Sequence, residues 1–368
     1  MSRNVVIADV VRTPWGKPGG SMEKLMSSDL GAAVLKQLLD RSSLEPEAVD
    51  QVVFGQAHPS TMPNNIGHYA WLKAELPVEV PGYTVQSNTG SALQALRNAY
   101  YLIASGNEEI CIAGGADSYS TAPFAMRDVR NHFYEKDRRI IDTIEEAECC
   151  TQPVPATRIQ QYETAYGTAF SQRAKDFAAE SRQKAEAFAR CCGDQIIPVS
   201  YTDRKKGEVV ISEDEWLKTD ITDILSPYAD GVAAALLMSG EEAARRGLSP
   251  KAELLGFAVT GCDPEQPQRA GGAAADKLLK SRGITMEEIA CMEVIENSAE
   301  DVFETMDMLG GAPAVNPFGG ALAYGKNDGA EGIAMLQRLT AALKPGQFGL
   351  LCIYSAGGLG MAALVKGC

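Results

Sequence analysis

Histidine is scarce in this 368-residue chain, which holds His58, His68 and His132 and no others. Nine cysteines are too few and too irregular for a disulfide scaffold, and Cys149-Cys150 and Cys191-Cys192 are adjacent pairs rather than the spaced pairs that zinc takes. A structural metal site is therefore not expected. No apolar run approaches the roughly 20 residues of a membrane span, and Met1-Ser2-Arg3-Asn4 leads into a short strand-like run without a signal-peptide profile. Basic residues are also short, 34 against 48 acidic ones, for a net charge of -14. Such a polyanion repels phosphate backbones and acidic lipid surfaces. The one basic cluster, Arg204-Lys205-Lys206, lies between turn-forming residues and reads as a solvated hairpin tip. These absences give the expectation of a reduced, soluble, cytoplasmic protein that binds neither nucleic acid nor membrane.

What is present is core. At 45% hydrophobic and 22% charged residues, disorder is excluded, and the length suits two to three domain-sized units of about 150 residues. The chain also repeats itself. Leu38 with Leu278, Leu44 with Ile284, Glu47 with Glu287, Val49 with Ile289 and Gly106 with Gly346 are identical or similar pairs at one constant step. Each unit shows a helix with apolar residues at helical spacing (Ala32, Leu35, Leu38, Leu39 in the first) leading to a short strand, Val52-Val53-Phe54. A second helix follows, Ser91 to Ala104 or Gly332 to Leu343, then a buried-type strand, Ile110 to Ala113 or Leu350 to Ile353. The run Val232 to Met238 reads as a strand returning to the first unit, and Ser171 to Arg190 as a strong helix. Alternating strands and helices predict α/β architecture with sheets covered on both faces.

Several short motifs, in order, resemble the thiolase superfamily over nearly the whole chain. They are Val5-Val6-Ile7 with Arg12-Thr13-Pro14, Asp29-Leu30-Gly31-Ala32, Ala113-Gly114-Gly115-Ala116-Asp117-Ser118, Asp230-Gly231-Val232-Ala233-Ala234, Val315-Asn316-Pro317-Phe318-Gly319-Gly320 and Gly357-Gly358-Leu359-Gly360. The resemblance implies two pseudo-twofold α/β units in an α/β/α/β/α layered core with a loop insertion. Its boundaries would be 1-118 plus about 220-250, an insertion over 119-219, and a C-terminal unit over 251-368. It also implies at least a dimer acting on acyl-CoA thioesters, with coenzyme A as part of a substrate and no permanently bound cofactor.

Thiolase chemistry uses a cysteine at a helix N-terminus, a histidine that activates it, a second cysteine and a water-holding asparagine. On this sequence those positions read Thr89, Lys326, Tyr354 and Ile295. The nucleophile segment is Val85-Gln86-Ser87-Asn88-Thr89-Gly90-Ser91-Ala92, and the Gly-His-Pro motif is Gly325-Lys326-Asn327. Tyr354, Lys326 and Thr89 are thus the candidate catalytic residues. Ser226 aligns with a serine of the pantetheine channel, and Gly319, Gly320, Gly357 and Gly358 are candidate cofactor-contacting backbone. Thr89 can be a nucleophile, a donor to the thioester oxygen or a helix N-cap, and the cap is favoured. Lys326 can bind an anion, form a Schiff base or pair with Asp328 or Glu296, the ion pair being favoured. Tyr354 can carry a proton, aided by a nearby Lys326, or fill space. Tyr324 reads as packing and Cys352 as a buried structural thiol; His58 and His68, on a segment that reaches a neighbouring subunit in thiolases, are set aside. Function then divides between a diverged acyl-CoA enzyme of the carbon–carbon bond class and a silent subunit partnered by an active thiolase-like chain or a zinc-bearing OB-fold protein. A thiolase-fold aldolase using tyrosines is a further form of the first.

Overall fold

A computed structural model describes residues 3–59, 64–126, 140–144, 166–167, 171–191, 195–219, 225–310 and 314–368. Cys149, Cys150, Cys192 and His132 lie outside the described residues.

The strands are β1 (Val5–Arg12), β2 (Gln51–Gly55), β3 (Gly82–Val85), β4 (Ile110–Asp117), β5 (Phe124–Met126), β6 (Ile140–Asp142), β7 (Val199–Asp203), β8 (Gly207–Ile211), β9 (Gly231–Ser239), β10 (Ala252–Gly261), β11 (Ile289–Val294), β12 (Phe348–Ser355) and β13 (Leu359–Gly367). The helices are α1 (Ser27–Ser42), α2 (Ile66–Lys73), α3 (Ser91–Ala104), α4 (Gln172–Cys191), α5 (Gly240–Arg245), α6 (Arg269–Arg282), α7 (Ala299–Leu309), α8 (Ala321–Tyr324) and α9 (Glu331–Ala342).

Nine strands form one sheet in the order β11-β12-β13-β10-β1-β9-β4-β2-β3. Its halves repeat. In the first, β2 runs parallel to β4, β4 antiparallel to β9, and β9 antiparallel to β1. In the second, β11 runs parallel to β12, β12 antiparallel to β13, and β13 antiparallel to β10. The halves join where Val5, Val6 and Ile7 pair with Leu254, Glu253 and Ala252. The repeat seen in the sequence is thus a repeat of strand order and sense.

Alternation sends the two faces of each half-sheet to different cores. Ile110, Ile112, Leu236 and Met238 pack with Leu30, Leu35, Leu38 and Trp71 of α1 and α2 on one outer side. Leu350, Cys352, Ala362 and Leu364 pack with Leu278 and Val302 of α6 and α7 on the other. Between them, Ala113, Ala235 and Leu237 share a cluster with Leu351, Ile353, Ala363 and Val365, filled by Leu93 and Leu96 of α3 and Ile333, Leu336 and Leu339 of α9. Five layers result, with α3 and α9 as the central one. Each fully buried Leu or Ile contributes about 1.5–3 kcal/mol.

The expected helix Ser91–Ala104 is found with those bounds. The Arg204-Lys205-Lys206 cluster is the exposed tip of the β7–β8 hairpin. Gly115 in β4 has no room for a Cβ because the Gly329 carbonyl occupies that space, so the segment after α8 comes down onto the end of β4. That docking builds the site.

Candidate active site

The segment Gly325–Ala330 belongs to the second half of the chain but is held by the first. Asn327 Nδ2 donates to the carbonyls of Asp117 and Ala229 at 2.9 and 2.8 Å, and Asn327 Oδ1 accepts from the Asp117 N–H at 3.1 Å. The Asp117 carboxylate accepts from the backbone N–H of Gly329 at 2.7 Å and of His58 at 3.0 Å. Lys326 is clamped by backbone bonds to Pro227 and Ala229. These bonds fix two neighbouring charges, Lys326 and Asp328, inside the protein, each about 4% exposed.

Four side chains then converge on Asp328. Thr89 Oγ1 donates to Oδ1 at 2.8 Å, and Lys326 Nζ lies 3.0 Å from the same oxygen. Tyr119 OH donates to Oδ2 at 2.6 Å, and His58 Nε2 lies 3.3 Å from it. The Tyr119 ring stacks on Tyr228 at 4.4 Å and faces His58 at 4.9 Å, while Lys326 Nζ sits over the Tyr228 ring at 5.6 Å. A carboxylate offers about four lone-pair sites, and here each oxygen has two partners. Burial alone would raise the Asp328 carboxyl, but Lys326, His58 and Tyr119 outweigh it and hold Asp328 well below the usual carboxylate range. Burial lowers His58 in turn, and the bond to Asp328 with the charge of Asp117 more than offsets that, so His58 is raised. Its Nδ1 has no partner among the described residues. Burial also lifts Asp117, to about 6.

A second carboxylate, Asp301, stands in the first turn of α7, whose N-cap Ser298 accepts from the Asp301 N–H at 3.2 Å. Tyr354 OH donates to Asp301 Oδ2 at 2.7 Å, and Tyr166 OH to Oδ1 at 2.9 Å. Burial raises the Asp301 carboxyl, against the opposing pull of Tyr354, Ser298 and Tyr166. The residue after Tyr354 ties this cluster to the start of α3: Ser355 Oγ accepts from the Gly90 N–H at 3.2 Å and donates to the Ser87 carbonyl at 3.0 Å. The strap Leu225–Asp230 links the two clusters. Ser226 N–H donates to the Asn297 carbonyl at 3.1 Å beside α7, and Ala229 N–H to the Lys326 carbonyl at 2.8 Å.

Thr89 and Lys326 therefore meet, through Asp328. One expectation is corrected. Thr89 is not the helix cap: Gly90 holds that position, and the Thr89 hydroxyl is spent on Asp328. The Tyr354 hydroxyl is bonded to Asp301, and the Lys326 charge is paired with Asp328. His58, set aside on the sequence, is buried against Asp328 of its own chain. The Lys326 ion pair goes to Asp328, while Glu296 is held by Asn316, Ser181 and the Leu322 N–H.

The candidate glycines are close-packed backbone. A Cβ on Gly319 would meet the Ser181 carbonyl, on Gly320 the Glu296 carboxylate, and on Gly358 the Cys262 carbonyl; Gly357 is exposed with φ of 82°. Tyr324 is packing, its ring between the Arg12 and Arg338 guanidiniums and its hydroxyl donating to the Phe318 carbonyl at 3.0 Å. Cys352 is a fully buried thiol raised by burial. Sequence reasoning underrated Asp328, His58, Tyr119 and Asp301. Asp328 had a signal, an acid two residues from Lys326. Asp301 and Tyr119 had none, because their partners lie far away in the chain. Among the described residues no group of His, Cys, Asp and Glu could hold a metal, and no helix is long and apolar enough to cross a membrane.

This architecture is that of a family. The thiolase N-terminal domain matches residues 5–241 and the thiolase C-terminal domain residues 248–367. The chain belongs to the thiolase family. It is 32% identical over 391 residues to an acetyl-CoA acetyltransferase of Chromobacterium violaceum, covering 98% of this chain and 99% of that one. It is 31% identical over 401 residues to a beta-ketoadipyl-CoA thiolase of Pseudomonas putida, covering 99% of each. Among solved structures, the acetyl-CoA acetyltransferase of Bacillus anthracis superposes with a TM-score of 0.91 at 26% identity, covering 100% of this chain and 99% of that one. A thiolase of Ascaris suum in complex with coenzyme A gives 0.90 at 26%, covering 100% of both.

Proposed function

We propose that the chain binds an acyl-CoA thioester and moves a proton at the carbon next to the thioester carbonyl, in carbon–carbon bond chemistry that takes no acyl group onto a thiol. The observation that carries this reading is the Tyr354 phenol bonded to buried Asp301 at 2.7 Å, beside the start of α3. The relatives named for acetyl-CoA and β-ketoadipyl-CoA chemistry, and the coenzyme A complex of a close structural neighbour, support the thioester. Thr89 is a poor nucleophile: its proton points at a carboxylate held far below neutrality, which is a weak base. Lys326, neutralised by Asp328, anchors the site instead of forming a Schiff base. Ser226 lies on the strap that borders the thioester channel, and Gly319, Gly320, Gly357 and Gly358 shape backbone around it. The unit boundaries 1-118 plus about 220-250, 119-219 and 251-368, a cytoplasmic location and assembly as at least a homodimer complete the reading.

The test is one incubation with acetyl-CoA and then acetoacetyl-CoA in deuterated buffer, read by methyl deuterium and intact protein mass. The reading expects deuterium in the acetyl methyl group, lost in Tyr354→Phe, and no acyl increment on the protein. An acetyl adduct at Thr89 or at a cysteine overturns it.

A second reading has one observation in its favour: Asp328 finds four partners inside its own chain, as a purely structural network would. In that case the chain is a silent subunit of a hetero-oligomer with an active thiolase-like chain or a zinc-bearing OB-fold protein. It would then exchange no deuterium alone, and co-purify with such a partner.

A further inference from the structure

Tyr354 is buried, 9% exposed. A phenol that gives up a proton in such a place must be recharged, or it acts once. The two clusters answer this need differently. Around Asp328 every donor points inward to one anion. Around Asp301 the hydrogen bonds continue outward. Tyr166 OH, which reaches Asp301 Oδ1 at 2.9 Å, also reaches Glu304 Oε2 at 3.1 Å. The Glu304 side chain is 28% exposed, and Arg269, 52% exposed, lies 3.6 Å from its other oxygen. Asp301 and Glu304 are one helical turn apart on α7, so both carboxylates face the same phenol. The contacts form an unbroken series from a buried hydroxyl to water, each link between 2.7 and 3.1 Å.

We propose that Asp301, Tyr166 and Glu304 form a proton relay that connects Tyr354 to solvent. The relay rests on the reading of Tyr354 as the proton-transfer group. In the forward sense, Tyr354 passes its proton to the carbanion next to the thioester carbonyl and becomes a phenolate. The Asp301 carboxylic acid returns a proton to it; Tyr166 passes its hydroxyl proton to Asp301 as its oxygen takes the proton that Glu304 has picked up from hydronium or a buffer acid, so that no Tyr166 phenolate forms. One proton enters at the surface and one leaves at the substrate, so charge and atoms balance at each hop. The reverse sequence removes a proton from the substrate.

Chemistry favours this over mere satisfaction of buried groups. A carboxyl raised by burial is a better proton carrier near neutrality than one held low by a cation, because both of its forms are within reach. Of the two carboxylates, Asp301 is the raised one, and its bonds run outward. Asp301 and Tyr166 are positioning and relay groups; Tyr354 alone faces the substrate.

The experiment follows deuterium entry into acetyl-CoA for the full chain in deuterated buffer, with binding of coenzyme A and thermal unfolding measured on the same samples. Wild type exchanges and Tyr354→Phe does not. Tyr166→Phe, which keeps the ring, should slow exchange by about ten-fold or more with coenzyme A binding unchanged. Raising the concentration of a small buffer acid such as imidazole should restore several-fold of that loss while leaving wild type unaffected. Glu304→Gln, at the surface where folding is not at stake, should show the same defect more weakly and the same rescue. Exchange by Tyr166→Phe and Glu304→Gln at the wild-type rate, or slowing that buffer does not relieve, overturns the relay while leaving Tyr354 in place. Absence of exchange in wild type instead removes the reading of Tyr354, and the relay with it.

Discussion

Asp328 and Asp301 are both buried carboxylates at the junction of the two repeated units, yet they are built for different states. Asp328 is surrounded by Lys326, His58, Tyr119 and Thr89, and a cation 3.0 Å away keeps it ionised. Asp301 has phenols and a helix N-terminus around it, and burial lifts its carboxyl. One cluster fixes a charge; the other holds its acid raised toward the neutral form. Burial alone therefore says little about the role of an acid. Between these two acids the difference is the Lys326 cation within ion-pair distance of Asp328, since burial favours the neutral form and an opposite charge the ionised one.

The contrast can be broken or sharpened at several points. The largest effect is expected at Tyr354. Tyr354→Phe removes the phenol bonded to Asp301 and, on the proposed reading, should cost about 10²–10⁴-fold in deuterium exchange, while stability changes little. Asp328→Asn tests the other side. It leaves Lys326 buried without its anion and should destabilise by about 3–5 kcal/mol in chemical denaturation, with Lys326→Met added on top recovering part of the loss. Asp301→Asn breaks no ion pair, keeps an acceptor for one phenol while turning an amide donor toward the other, and should cost only about 1–3 kcal/mol. If the two Asp→Asn variants lose equal stability, the claimed difference between the clusters is wrong. Thr89→Ala removes one of four donors to Asp328 and should cost about 1 kcal/mol, with exchange within a few-fold of wild type.

The smallest effect is in the pH dependence of stability. Asp117 and Asp230 are raised to about 6 and Glu293 to about 8, each chiefly by burial. Their native forms hold protons that the unfolded chain has already released, so they make stability fall as pH rises from about 4 to 8. Asp328 has the opposite sign. Its contribution is present above the unfolded carboxylate pKa near 4 and disappears as pH falls through its own lower value. Thermal unfolding across this range should show a decline toward pH 8 that Glu293→Gln flattens at the alkaline end.

Local patterning made most of the fold legible in the sequence. The apolar spacing in Leu35, Leu38 and Leu39 marks α1, and the unbroken run Val232 to Met238 marks β9 because both its faces are buried. The repeat foretold matched strand orders in the two halves. The site was legible only where it is local. Lys326 and Asp328 are two residues apart, and their pairing was foreseeable from that spacing. Thr89 was misread because a threonine before Gly90-Ser91 looks like a cap, and a tertiary partner from the other unit overrode that preference. His58 pairs with Asp328, and Tyr354 with Asp301, across separate elements. No pattern within the separate segments encodes those contacts, and the first of them arises where Gly115 lets the Gly325–Ala330 segment down onto β4.

The difference between the two acids is most directly measured by carbon-13 resonances of selectively labelled aspartate carboxyls, assigned with Asp328→Asn and Asp301→Asn, across the pH range in which the chain stays folded. The account predicts that Asp328 remains ionised without titrating, and that Asp301 takes up its proton above the usual carboxylate midpoint near 4. An Asp328 that titrates at or above that midpoint, or an Asp301 ionised well below it, would contradict the account.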